Sequence, residues 1–83
     1  MTLHRFKALS HAKQRWWILE RSNYISQRQT EDFTVFLFQL ASFYIEVFFH
    51  NDNEEVLQIK SFGSTDGLDP YLEEISLYQL FKI

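Results

Sequence analysis

Eighty-three residues, 18% of them aromatic and none a cysteine, set narrow bounds on what this chain can be. A chain of this length builds one core and buries only about 60% of its unfolded surface. One small domain is therefore expected, and with disulfides excluded a partner subunit is a natural source of added stability. The missing thiol also removes thiolate catalysis and cysteine-built zinc sites, gives no sign of an oxidising compartment, and leaves the cytoplasm as the expected location.

The net charge of −3 is unevenly spread. Residues 1–28 hold six cations against Glu20 alone, net +5, while residues 29–83 hold Lys60 and Lys82 against ten acids, net −8. Attraction within the chain or between copies accounts for this separation better than a nucleic-acid surface does, because the acidic remainder repels phosphate.

In chain order, "MTLHRFKALSHAKQRWW" has no uninterrupted apolar run or small-residue cleavage site, so no signal peptide is expected. Thr2 can cap a short helix carrying Leu3, Phe6 and Leu9. Ser10 can cap a second helix running to about Arg21, with Ala12, Trp16 and Leu19 on one core stripe that Trp17 and Ile18 widen. Trp16 and Trp17 among Lys13, Arg15 and Arg21 could stack single-stranded bases. The core stripe claims at least one of these rings, so nucleic-acid binding stays the lesser reading.

"NYISQRQ" reads as a strand which, with Arg28 facing Phe33, sends Ile25 to the core and Tyr24 outward. "FTVFLFQLASFYIEVFF", residues 33–49, does not cross a membrane. A spanning helix needs about 20 apolar residues, and these seventeen include Gln39 and Glu46. Their β-branched and aromatic content favours strands. A two-residue loop at Ala41-Ser42 gives strands 32–40 and 43–50, with Leu40 opposite Phe43. One face then holds Phe36, Phe38, Leu40, Phe43, Ile45, Val47 and Phe49, and the other holds Phe33, Val35, Leu37, Gln39, Tyr44, Glu46, Phe48 and His50. The pairing is expected despite Ala-Ser lacking the Asn-Gly chemistry of tight hairpin turns. "EVLQIKSF" follows as a further strand, with Leu57 opposite Phe49, Ile59 opposite Val47 and Lys60 opposite Glu46. That last cross-strand charge pair is worth roughly 0.2–1 kcal/mol.

Near the end, Gly67 marks a turn, Asp69 an N-cap and Pro70 a first helical position, with Glu73 and Glu74 at the positive helix end. Ser76 and Gln79 match a capping box that could restart a turn carrying Leu77, Leu80 and Phe81. The expected architecture is α+β: a four-stranded antiparallel β-meander with N-terminal helices and a short C-terminal helix, in the order α-α-β-β-β-β-α.

Chemistry finds no expected centre. Glu46 and His50 share a strand face but stand about 13 Å apart at ~3.3 Å per residue, and His4 and His11 have no metal-pair spacing. Ser61, Ser64 and Thr65 sit in no nucleophile elbow. Gly63 and Gly67 make no phosphate loop, and "NDNEE", Asp66 and Asp69 read as turn and cap residues. Neither enzyme activity nor a metal or cofactor is expected.

The feature without an internal explanation is the second sheet face: Tyr24, Phe33, Val35, Leu37, Tyr44, Phe48 and Phe62, with Arg28, Glu46, His50 and Lys60 among them. Apolar patches beyond a few hundred Å² are seldom left exposed on monomers. Either the C-terminal segment folds back over this face, or a homodimer partner or another protein covers it. The sequence thus suggests a soluble interaction module that self-associates through an aromatic sheet face. The alternative is a small ligand-binding or nucleic-acid-binding accessory protein, with a ligand pocket between the helices and one sheet edge.

Overall fold

The computed structural model describes residues 1–52, 55–63, 68, 70 and 71. Two helices, α1 (Leu3–Lys7) and α2 (His11–Arg21), precede four strands, β1 (Asn23–Gln29), β2 (Phe33–Leu40), β3 (Phe43–His50) and β4 (Val56–Phe62). The strands form one antiparallel sheet in the order β1-β2-β3-β4, so the α+β meander is as expected. Of the C-terminal helix expected from Pro70 onward, Pro70 and Tyr71 are described; its Asp69 cap, the rest of its length and the restart lie outside the described residues. Among the described residues no helix is long and apolar enough to cross a membrane.

Both helices begin where their hydroxyls predict. The Thr2 side chain accepts from the Arg5 N–H at 3.2 Å, and Ser10 accepts from the Lys13 N–H at 3.3 Å; each satisfies a backbone donor that the first turn leaves unpaired. The buried face of α2 is not the expected one. Gln14 and Ile18 point inward, Ala12, Trp16 and Leu19 point out, and Leu19 is 81% exposed. The cause is polar: Gln14 Nε2 donates to the Phe6 carbonyl at 3.0 Å, which satisfies an acceptor at the end of α1 and fixes the roll of α2.

The central hairpin has the expected register, with Leu40 opposite Phe43 and Phe33 opposite His50. Ala41 opens the loop with φ 53°, the left-handed region that a tight hairpin demands. Two bulges alter the outer strands. Between Tyr24 and Ser26 the register shifts, so Tyr24 pairs with Phe38 and Arg28 with Val35 rather than Phe33. This reverses the expected sides. Tyr24 lies on the first face against the Phe36 and Phe38 rings, at 6.5 and 5.9 Å, and Ile25 packs on the second. A second shift between Phe48 and Phe49 puts Val56, not Leu57, opposite Phe49, while Ile59 faces Val47 and Lys60 faces Glu46 as expected.

Two clusters hold the body together on opposite sides of the sheet. On the first face Phe6 and Ile18 from the helices bury Leu40, Phe43 and Ile45, with the Phe6 and Phe43 rings 5.5 Å apart. On the second, Leu68 and Tyr71 pack on Leu37, with Ile25, Tyr44 and Phe62 around them. The chain after β4 thus returns over the second face at these two residues, as one of the two expected covers requires.

Candidate functional site

The second face is built around a carboxylate. Alternation along β3 sends Glu46 to the same side as Tyr44 and Phe48, where it is only 9% exposed. A buried carboxylate needs partners, and it has two: the Tyr71 hydroxyl donates to Glu46 Oε2 at 2.7 Å, and Arg28 Nη2 approaches the same oxygen at 3.3 Å. The Arg28 guanidinium carbon also lies 5.6 Å from the centre of the Tyr71 ring, while Arg28 Nε is buried with no hydrogen-bond partner among the described residues. Burial, reinforced by the bond to Glu46, pushes the Tyr71 hydroxyl well above its ordinary value of 10.0. Burial pulls Arg28 the other way, but its bonds to Tyr71 and Glu46 outweigh that and leave it raised. Burial and Glu46 favour a neutral Tyr71 against the opposite pull of Arg28, and Tyr71 and Glu46 both favour a charged Arg28, so the cluster is a latch that holds residue 71 against the sheet.

The expected Glu46–Lys60 charge pair has the right register but a different chemistry. Arg28 and Tyr71 take the carboxylate, and Lys60 Nζ lies 5.2 Å from the centre of the Phe48 ring, with Arg28 on the same ring at 5.9 Å. Phe33 packs edge-on against Phe48 and His50, at 6.4 and 5.6 Å. His50 Nδ1 accepts from the Asp52 N–H at 3.2 Å and so serves the turn.

The expected interface residues separate into three groups. Val35 and Leu37 are fully buried and Glu46 nearly so, and these present no outer surface. Phe33, Tyr44, Phe48 and Phe62 are half-buried and Lys60 is exposed, forming a rim around the point where Tyr71 docks; Tyr44 and Phe62 stack at 5.6 Å. Tyr24 is on the opposite side of the sheet.

The first face is the less finished one. Among the described residues, helix α2 covers the end of the sheet near Leu40 and Phe43, and the other end is an open apolar groove of about 270 Å³. Its floor comes from Phe36, Phe38, Val47, Phe49, Val56 and Ile59, and its wall from Arg15, Ile18 and Leu19. Alongside it Trp16 stands 50% exposed, edge-on to Trp17 at 5.4 Å and 6.0 Å from the Arg21 guanidinium. The open end adjoins the two hairpin turns, tied together by the Asn51 N–H donating to the Asp32 carbonyl at 3.0 Å, and there Glu31, Asp32 and Asp52 are exposed.

Sequence reasoning missed Tyr71 and the open half of the first face. Nothing local marks Tyr71 as the partner of a residue 25 positions earlier. The groove did leave a signal: the apolar residues of α2, from Ala12 through Trp16, Trp17, Ile18 and Leu19, spread over more of the helix than one contact can bury.

Among the described residues no group of His, Asp or Glu side chains is arranged to hold a metal ion. Comparison with protein-family models, curated proteins and solved structures finds no match.

Proposed function

We propose that the chain is a small non-catalytic interaction module that works by self-association, through the aromatic first face rather than the second. One observation carries this reading. Among the described residues, the first face pairs an open apolar groove with an exposed apolar ridge, Trp16 and Leu19, whereas Leu68, Tyr71 and the Glu46 latch occupy the centre of the second. Large apolar surface left in water favours association, and a domain of this size gains stability from it. On the second face, two groups that could carry acid–base work have structural tasks, His50 in a turn and Glu46 in the latch.

The test is solution mass by sedimentation across a dilution series. At micromolar concentration the expected mass is twice the 10.1 kDa of one chain, falling toward one chain on dilution; a single-chain mass at every concentration up to the millimolar range refutes the proposal.

A second reading has an observation of its own. An apolar groove of about 270 Å³ with the Arg15 guanidinium on its wall has the make-up of a site for an amphiphilic carboxylate. That reading expects dodecanoate to raise the unfolding temperature with the mass unchanged at one chain, and Arg15→Ala to abolish the rise.

A further inference from the structure

The self-association proposed above leaves open how two copies meet, and α2 constrains the answer. The helix has two apolar stripes. One, Ile18 with Trp17 beside it, is spent on its own sheet; the other, Ala12, Trp16 and Leu19, repeats at four and three residues and is exposed, with Leu19 also forming the lip of the chain's own groove. The sheet has the inverse deficit: among the described residues α2 borders the groove with Arg15, Ile18 and Leu19, and no helix lies over the floor formed by Phe36, Phe49 and Val56. Among the described residues, the helix thus has apolar side chains without a sheet and the sheet has an apolar stretch without a helix.

Resting on that reading, we infer that a second copy of this chain satisfies both deficits at once. The copies stack first face to first face about a two-fold axis, and the Trp16–Leu19 ridge of each enters the open groove of the other. The two α2 helices then lie side by side between two sheets. This is an isologous contact, in which one surface carries both knob and hole, and it closes at two copies.

Charge supports this occupant over an unrelated one. The ridge is flanked by Lys13, Arg15 and Arg21, all exposed, and the exposed carboxylates Glu31, Asp32 and Asp52 sit in the turns that adjoin β2 and β3, whose Phe36 and Phe49 floor the groove. Stacking a ridge into a second copy's groove brings that basic helix against that acidic end, twice by symmetry, and the opposite charges of residues 1–28 and 29–83 then attract between chains.

The test uses the full chain and two kinds of variant. Leu19→Glu places a charge on the ridge at a side chain 81% exposed, so the fold should persist by circular dichroism while the dimer dissociation constant rises at least tenfold. In the second arm Lys13→Glu/Arg15→Glu and Asp32→Lys/Asp52→Lys chains are each expected to associate at least tenfold more weakly alone and to form a mixed dimer when combined. Wild-type association should weaken as salt rises from 0.05 to 0.5 M, a range in which the screening length falls from about 14 to 4 Å. If the wild type is dimeric but Leu19→Glu dimerises equally well and the charge variants do not pair, this arrangement is wrong and self-association stands on another surface. If the wild type is a single chain throughout, both are wrong; dodecanoate stabilisation of that single chain would then assign the groove to a small ligand.

Discussion

Tyr71 sits where hydroxyl, aromatic ring and buried charge meet, and its removal should be felt out of proportion to its size. Tyr71→Phe keeps the ring on Leu37 but strips one donor from a buried carboxylate. Hydrogen bonds to charged groups contribute ~1.5–3 kcal/mol, so a loss of about 2 kcal/mol in chemical unfolding is expected. Glu46→Ala should cost more, about 3 kcal/mol, because it leaves the Arg28 guanidinium partly buried without its anion. The same bond gives a pH signature. The Tyr71 hydroxyl titrates higher in the folded chain than its ordinary 10.0, so its stabilisation is fully present below pH 10 and declines as pH rises through and beyond that value. Unfolding midpoints measured at pH 9, 10 and 11 should fall more steeply for the wild type than for Tyr71→Phe. Ala41 offers a change in the opposite direction. With φ positive at the first loop residue, glycine is the matched residue there, and Ala41→Gly should stabilise by about 1 kcal/mol in thermal or urea unfolding.

Elements were legible in the sequence where one strong pattern governs them, and illegible where two compete. The β2–β3 register follows from seven apolar side chains on one face, since a shift of one residue would expose them all. The helix starts follow from Thr2 and Ser10, whose hydroxyls answer a local shortage of acceptors. The roll of α2 did not follow, because hydrophobic periodicity selects Ala12, Trp16 and Leu19 while the Gln14–Phe6 hydrogen bond selects the neighbouring stripe. That bond is testable. Gln14→Leu should remove one hydrogen bond from the Phe6 carbonyl, which keeps the Leu9 N–H, and cost about 1 kcal/mol despite adding apolar volume; a neutral or stabilising result would show that packing alone orients the helix. The side exchange of Tyr24 and Ile25 was equally hidden, since one extra residue in β1 inverts the alternation and leaves no compositional mark. Of the candidate site, the residues of the second face were identified apart from the exchange of Tyr24 and Ile25, and the C-terminal segment was one of two expected covers, but Tyr71 as the residue that docks was not legible, because it comes from a distant part of the chain.

At the scale of the whole molecule, the two sheet faces differ in completeness. Among the described residues, the second is sealed at its centre by Leu68, Tyr71 and an ion-paired carboxylate, and the first carries helix over one end. Folding and association should accordingly be coupled: binding of a second copy to the folded state alone raises its stability by mass action. The unfolding temperature of the wild type is expected to climb with chain concentration and that of Leu19→Glu to stay constant, as differential scanning calorimetry over a hundredfold concentration range can establish.

The two bulges bear on how such an assembly can grow. One lies on each margin of the ribbon, at Ile25 in β1 and Leu57 in β4, the strands that have a hydrogen-bonded neighbour on one side only. An irregular margin is a poor template for a further strand, which needs an unbroken row of amides and carbonyls. Sideways pairing of a further strand is thereby discouraged at both of the described rims.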